Sequence, residues 1–406
     1  MGVDAANAST RNARAGSVAE VFIAFLRLGL TCFGGPIAHI GYFRNDFVVR
    51  RRWLDEAAYA DLVALCQFLP GPASSQVGFS LGLMRAGYSG ALAAWFGFTM
   101  PSAIALVLFA HGAAALSGPI GAGLLHGLKL VAVSIVAHAV WGMARTLCPD
   151  WQRALIASAA VVVVLFIGSS AGQIVAIVLG GAVGLLLCRG LSAEASGAPL
   201  ASRVSPRVGL VALALFALLL VGLPVARILS ASTGVALFDA FYRSGALVFG
   251  GGHVVLPLLR EAFVTPGWVT DDAFLAGYGA AQAIPGPLFS FAAYLGSVVD
   301  SPVSGVTGAA IGVTAIFLPG MLILLGALPF WDALRQRVSA RAMMGGVNAS
   351  VVGLLAAALY MPLWTSSVHS LTDFALVLVG FVLLTVWRAP PLLVVVLGAA
   401  GGLVLS

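Results

Sequence analysis

Charge is what this chain has least of. Asp, Glu, Lys and Arg make up only 9% of its 406 residues, and lysine occurs once, as Lys129; a soluble domain carries about 25% charged residues. Cysteine is nearly as scarce. Cys32, Cys66, Cys148 and Cys188 show no C-x-x-C spacing and fall in or beside apolar segments, which argues against a disulfide framework and reads as small buried side chains. The machinery of common enzymes is missing too. There is no G-x-x-x-x-G-K-[ST] phosphate loop, no H-E-x-x-H and no G-x-S-x-G, so ATP hydrolysis and hydrolase chemistry have no visible carrier. No enzymatic activity, no cofactor and no metal centre are expected. The net charge of +6 is scattered along the chain, and nucleic acid is not an expected partner.

What is abundant is hydrocarbon: 60% of the residues are hydrophobic and the mean hydropathy is +1.04. Apolar stretches recur at 88–112, 123–144, 171–187, 208–225, 303–330, 346–363, 371–387 and 391–405, near or above the about 17–25 residues that span a bilayer. The expected fold is therefore all-α and polytopic, with the lipid bilayer as its main partner. The first 17 residues are polar and lead into no short apolar core with a small-residue cleavage site, so a cytoplasmic N-terminal tail over 1–17 is expected.

The chain repeats itself. "LRLGLTCFGGP" at 26–36 aligns with "YRSGALVFGGG" at 242–252, pairing Arg27 with Arg243 and Phe33-Gly34-Gly35 with Phe249-Gly250-Gly251 at an offset of 216. One gap later, at an offset of 215, Trp53 matches Trp268, Gln67 matches Gln282, and Pro70-Gly71-Pro72 matches Pro285-Gly286-Pro287. Pro101 then pairs with Pro319, and the stretch from Gly127 pairs with that from Gly346. This predicts a first repeat over 18–188, a linker plus one extra helix over 189–233, and a second repeat over 234–406. The unpaired span at 208–225 delivers the second repeat upside down, giving inverted-topology repeats.

The arginines bear on topology. If the broken stretches around 18–84 and 234–300 enter and return on one side, Arg44, Arg50, Arg51 and Arg52 join those at 11, 14, 85, 145, 153, 189, 203, 207, 335, 337, 341 and 388 on the cytoplasmic face, leaving Arg227 and Arg260 outside. If the same stretches cross fully, the 44–52 arginines lie outside, against the positive-inside tendency. Re-entrant pairs are the preferred reading.

The repeated breaks carry the chemistry. Proline removes a donor and clashes with the preceding turn, yet suits the first position of a helix. New helices after Gly71 and Gly286 would aim their N-terminal N–H groups inward, with Ser74 and Ser75 near one and Ser290 near the other. Such ends are intolerable in lipid but form an anion site when they line a cavity. Gly34, Gly35, Gly250 and Gly251 make a second set of breaks, each followed by a histidine (His39, His253) at slightly different repeat positions. Arg27 and Arg243 read either as substrate or gating residues or as partners of a helix C-terminus. Lys129, whose repeat mate is Asn348, reads either as a coupling group or as a snorkelling side chain. One helix end is worth about 0.3–2 kcal/mol to an anion, far less than its desolvation, so several donors must act together. That points to a small, multiply charged oxyanion, for which phosphate-like, sulfate-like and chromate-like ligands present nearly the same acceptors.

The paired motifs "FGGP" (33–36), Trp53 and "QFLPGP" (67–72), with "FGGGH" (249–253), Trp268 and "QAIPGP" (282–287), resemble the chromate ion transporter (CHR) family in its long, two-domain form. The second copy departs in having Gly252 where the first has Pro36. The resemblance implies a transporter of the bacterial inner membrane that exports chromate on the membrane potential or a proton gradient, confers chromate resistance, and takes sulfate as a mimic. Independently, a dianion leaving an inside-negative cell at 100 mV runs downhill by about 4.6 kcal/mol, and exchange for one proton brings this to about 7 kcal/mol. The 49 glycines permit the close helix packing of a homodimer.

Overall fold

The computed structural model describes residues 16–33, 35–115, 119–167, 170–191, 204–230, 232–249 and 252–405, and among these every regular element is helical. Most of the 1–17 tail, most of the 189–207 linker, and Gly34, Gly250 and Gly251 lie outside the described residues. The first half comprises α1 (Val18–Thr31), α2 (Gly35–Phe43) with a wide turn over 44–50, α3 (Glu56–Phe68), α4 (Ala73–Ala115), α5 (Pro119–Leu147), α6 (Trp151–Ile167) and α7 (Ser170–Leu187). After α8 (Pro206–Ser230) come α9 (Thr233–Ala246), α10 (Val255–Phe263), α11 (Asp271–Ala283), α12 (Phe291–Val298), α13 (Gly305–Ala327), the short α14 (Trp331–Arg335), α15 (Val338–Ala358), α16 (Thr365–Ser367), α17 (Leu371–Thr385) and α18 (Pro391–Leu405). Among the described residues five stretches, 73–112, 123–147, 206–230, 305–334 and 338–367, are long and apolar enough to cross a membrane. The first is bent at Ala86 and Gly87, where Gly87 has φ 70°, so only its second arm, 88–115, crosses.

The first half opens with two re-entrant pairs. α1 is 14 residues long, a rise of about 21 Å at 1.5 Å per residue, and ends inside the protein. α2 turns back, since Phe43 and Phe47 return to Phe25 of α1 with ring centroids 5.5 and 4.8 Å away. α3 goes in and the first arm of α4, 73–85, comes out. The Gly16 N–H donates to the Arg85 carbonyl at 3.1 Å and the Arg85 guanidinium lies 5.2 Å over the Trp53 ring. Residues 16, 53 and 85 therefore share one surface, the near face, as re-entrant pairs require.

The second half repeats this at the opposite surface. The aromatic trio Phe25–Phe47–Trp53, stacked at 4.8 and 4.5 Å, has its counterpart in Phe241–Phe263–Trp268, at 4.4 and 5.7 Å with the rings tilted and edge-on. The Asp300 N–H, at the repeat position of Arg85, donates to the Trp268 carbonyl at 3.0 Å. Two crossing helices fix the inversion. The second arm of α4 leaves the near face and brings Phe109 within 5.9 Å of Tyr294, whose hydroxyl donates to the Ala273 carbonyl at the outer end of α11. α13 runs the other way: it starts against α12 and leads to α14, where Trp331 Nε1 donates to Asp61 of α3 at 3.2 Å. α8 supplies the odd crossing. A Cβ on its Gly209 would sit 3.0 Å from Pro329 at the near face, and Arg227, toward its other end, lies 3.7 Å from Asp239 at the far face.

The remaining helices are exchanged between halves. The α6–α7 hairpin packs on α15, with Gly180 and Gly184 against Gly346, while α17–α18 packs on α5, with Gly127 against Gly398. Glycine at these contacts lets backbones approach closely, the usual device where lipid removes the hydrophobic drive for helix association. α6 was not among the apolar stretches picked out above, because Trp151, Gln152 and Arg153 open it with polarity, whereas α8, exposed along most of its length, was plain in the sequence.

Candidate functional site

Four chain breaks meet at mid-depth, and each pair is held by the other half. After Pro70, Gly71 adopts φ 120° and its N–H donates to the Val248 carbonyl at 2.7 Å. After Pro285, Gly286 adopts φ 111° and its N–H donates to the Cys32 carbonyl at 2.9 Å. Cys32 and Val248 are themselves repeat mates, so the two hydrogen bonds express one pseudo-twofold axis. Only glycine reaches these φ values without strain. Around the axis a Cβ on Gly252 would meet Pro36 at 3.0 Å, and one on Gly35 would lie 3.9 Å from His253 Nε2. The departure of Gly252 from the first-half proline has a steric counterpart: a side chain at 252 would press on Pro36.

The first-half helix end begins at Ala73, directly after Pro72. Ser74 Oγ lies 3.4 Å from His39 Nδ1, and the His39 ring stands edge-on to Phe98 at 5.2 Å. His39 is 1% and Ser75 4% exposed; the His39 ring also reaches the Cys32 carbonyl, whereas Ser75 Oγ has no hydrogen-bond partner among the described residues. Gln76 braces the break, donating from Nε2 to the carbonyls of Pro70 and, across the halves, Gly320, both at 2.9 Å. The second-half end differs. A single 3-10 turn over Leu288–Ser290 leads into α12, and Ser290 Oγ is engaged by Ser102 Oγ of α4 at 2.6 Å. The position matching Ser102 in α13 is Gly320, so Ser75, the repeat mate of Ser290, has no such cap. His253 Nδ1 shares a hydrogen bond of 2.8 Å with the Tyr278 hydroxyl, which the Gln282 side chain also reaches.

Other candidates lie elsewhere. Gln67 is exposed on α3 although its mate Gln282 is partly buried on α11. Arg27 is on the outward side of α1, in line with the exposed Ile23 and Leu30. Arg243 is turned back toward the far face by the fully buried Asp239, which accepts from its Nε and Nη2 at 2.9 and 2.7 Å. The structure therefore does not bring these arginines to the crossing. Lys129 pairs with Asp272 at the far-face end of α11. Gly34, Gly250 and Gly251 fall outside the described residues. Among the described residues no group of three or more His, Cys, Asp or Glu is placed to hold a metal ion.

Gln76, Ser102 and Tyr278 were missed in the sequence. A signal existed for Ser102, which follows the repeat-matched Pro101, but its partner comes from a helix 188 residues away.

Inverted repeats whose broken helices meet at mid-depth are an architecture used by membrane transporters. The chain belongs to the chromate transporter family, whose model matches residues 19–185 and again 235–403. It is 29% identical over 401 residues to a chromate transport protein of Pseudomonas aeruginosa, covering 95% of this chain and 91% of the relative. It is 28% identical to a probable chromate transport protein of Synechococcus elongatus (94% and 93% covered) and 25% identical to a chromate transport protein of Cupriavidus metallidurans (94% and 91% covered). No solved structure matches.

Proposed function

We propose that the protein exports chromate across the bacterial inner membrane, down the membrane potential or in exchange for protons, and so confers chromate resistance. The two repeats, 18–188 and 234–406, act as the moving halves, and the near face, which holds Arg85 and Arg44–Arg52, is cytoplasmic. One observation carries the reading. Buried polar groups stand beside a helix N-terminus: the His39 ring is 1% exposed, and Ser75 Oγ has no hydrogen-bond partner among the described residues. Leaving such a hydroxyl unsatisfied costs about 1–3 kcal/mol, and a tetrahedral dianion would satisfy it together with the N–H groups of Ala73 to Ser75. The charge of the anion makes efflux downhill by about 4.6 kcal/mol at 100 mV. Sulfate offers the same acceptors and is expected to compete.

The test is expression in a chromate-sensitive bacterium, reading growth and cytoplasmic chromate. The wild type should lower accumulation, and Ser75→Ala should lose about 10- to 100-fold of the transport rate, the equivalent of one charge-assisted hydrogen bond of about 1.5–3 kcal/mol. Unchanged accumulation with well-inserted wild-type protein would sink chromate export.

A further inference from the structure

The two repeats are not in the same conformation, and the difference lies on α3 and α11. On α11 the run Phe274–Ala281 is buried throughout. α5 lies along it so closely that a Cβ on Gly279 would sit 2.5 Å from the Leu128 carbonyl, and Lys129 of α5 is ion-paired to Asp272. At the matching positions of α3 stand Ala57, Ala60, Ala64 and Gln67, mates of Asp272, Leu275, Gly279 and Gln282, and all four are exposed.

Repeat symmetry says which helix should cover that face. α5 corresponds to α15, with Val347 at the place of Leu128 and Asn348 at that of Lys129. Yet α15 does not lie along α3 as α5 lies along α11. Instead its Asn348 is only partly buried and Asn348 Oδ1 has no hydrogen-bond partner among the described residues. The bare face of α3 is also unlike a lipid contact. Where helices meet lipid here, as on α8, the outward residues are Leu210, Val211, Leu218 and Val221; on α3 they are alanines ending in a glutamine beside the Pro-Gly-Pro break. Small residues of this kind suit the close approach of a second helix.

We propose that the structure is the state open to the near face: the α3–α15 cleft is the anion's path to the crossing, Gln67 lines its inner end, and α5–α11 is the same path closed, latched by Lys129 and Asp272. In inverted-repeat transporters the two halves exchange conformations during the cycle. α15 then closes on α3 as α5 releases α11. This inference rests on the transporter reading above but not on which anion is carried.

Cysteine accessibility tests it in membrane vesicles, with a small water-soluble methanethiosulfonate reagent and no substrate. Ala60→Cys should react about 10-fold or more faster than its repeat mate Leu275→Cys, because thiol reactivity follows exposure. Lys129→Ala, which unlatches α11, should slow the first and speed the second. Asp272→Asn, at a side chain 72% exposed and so harmless to folding, should do the same. Equal rates at the two sites would overturn the open-state assignment. Unchanged rates in both latch variants would overturn the role of the ion pair. The labelling needs no chromate, so it can fail while chromate transport holds, and the converse.

Discussion

Gln76 is where the two halves are tied at the site, and its removal gives a number. The side chain is buried and donates to one carbonyl of its own break, Pro70, and to one of α13, Gly320. In Gln76→Leu the volume is kept while both donors go. Two hydrogen bonds at about 0.5–1.5 kcal/mol each, plus part of the cost of leaving buried carbonyls unsatisfied, sum to about 2–4 kcal/mol. An apolar side chain is not foreign to the position, since the repeat mate is Phe291, fully buried against Tyr294. The loss must therefore come from the two carbonyls and not from packing. The measurement is the unfolding midpoint in mixed-micelle denaturation, with the exposed Gln336→Leu as a control expected within about 0.5 kcal/mol of wild type. If Gln76→Leu also stays within about 0.5 kcal/mol, the brace carries no energy and the claim that the halves are held together at this break is wrong.

The glycines of the two breaks should rank differently. Gly71→Ala meets both a positive φ and the Gly320 backbone at 2.9 Å, whereas Gly286→Ala meets a side chain instead of backbone, Ser102, with Oγ at 2.7 Å and Cβ at 3.0 Å. Backbone strain of about 1–3 kcal/mol applies to both and overpacking of about 1–3 kcal/mol mainly to Gly71, so thermal unfolding should fall further for Gly71→Ala. For topology, Asn45→Cys should be shielded from an impermeant external maleimide and react once the inner face is exposed; labelling from outside in intact cells rejects the re-entrant arrangement. The native background is low at neutral pH, because Cys32, Cys66 and Cys188 are buried. Burial also pushes the Cys148 thiol, in the loop after α5, up to about 11. Its residual labelling should rise as pH rises toward that value, since the thiolate is the reactive form.

The sequence by itself determined the class of fold, the duplication and the four breaks. Those are local facts: hydrocarbon over bilayer-length runs, Pro-Gly-Pro that no helix can continue through, and a repeat visible at a constant offset. It also foretold the inversion, because a single unpaired span between equal halves leaves little choice. Only the tertiary structure decided which side chains reach the crossing. Ser75 is open because position 320 on the other half is a glycine, Ser290 is capped because position 102 is a serine, and Arg243 is drawn away by Asp239, which has the apolar Ile23 as its mate. The serine and glycine contacts join segments 188 to 244 residues apart and are set by how the halves interlock, whereas Asp239 and Arg243 stand four residues apart on one helix. The open α3 face belongs to the same category. Two helices with nearly the same pattern are covered in one half and bare in the other, a difference of state that one sequence holds in both forms.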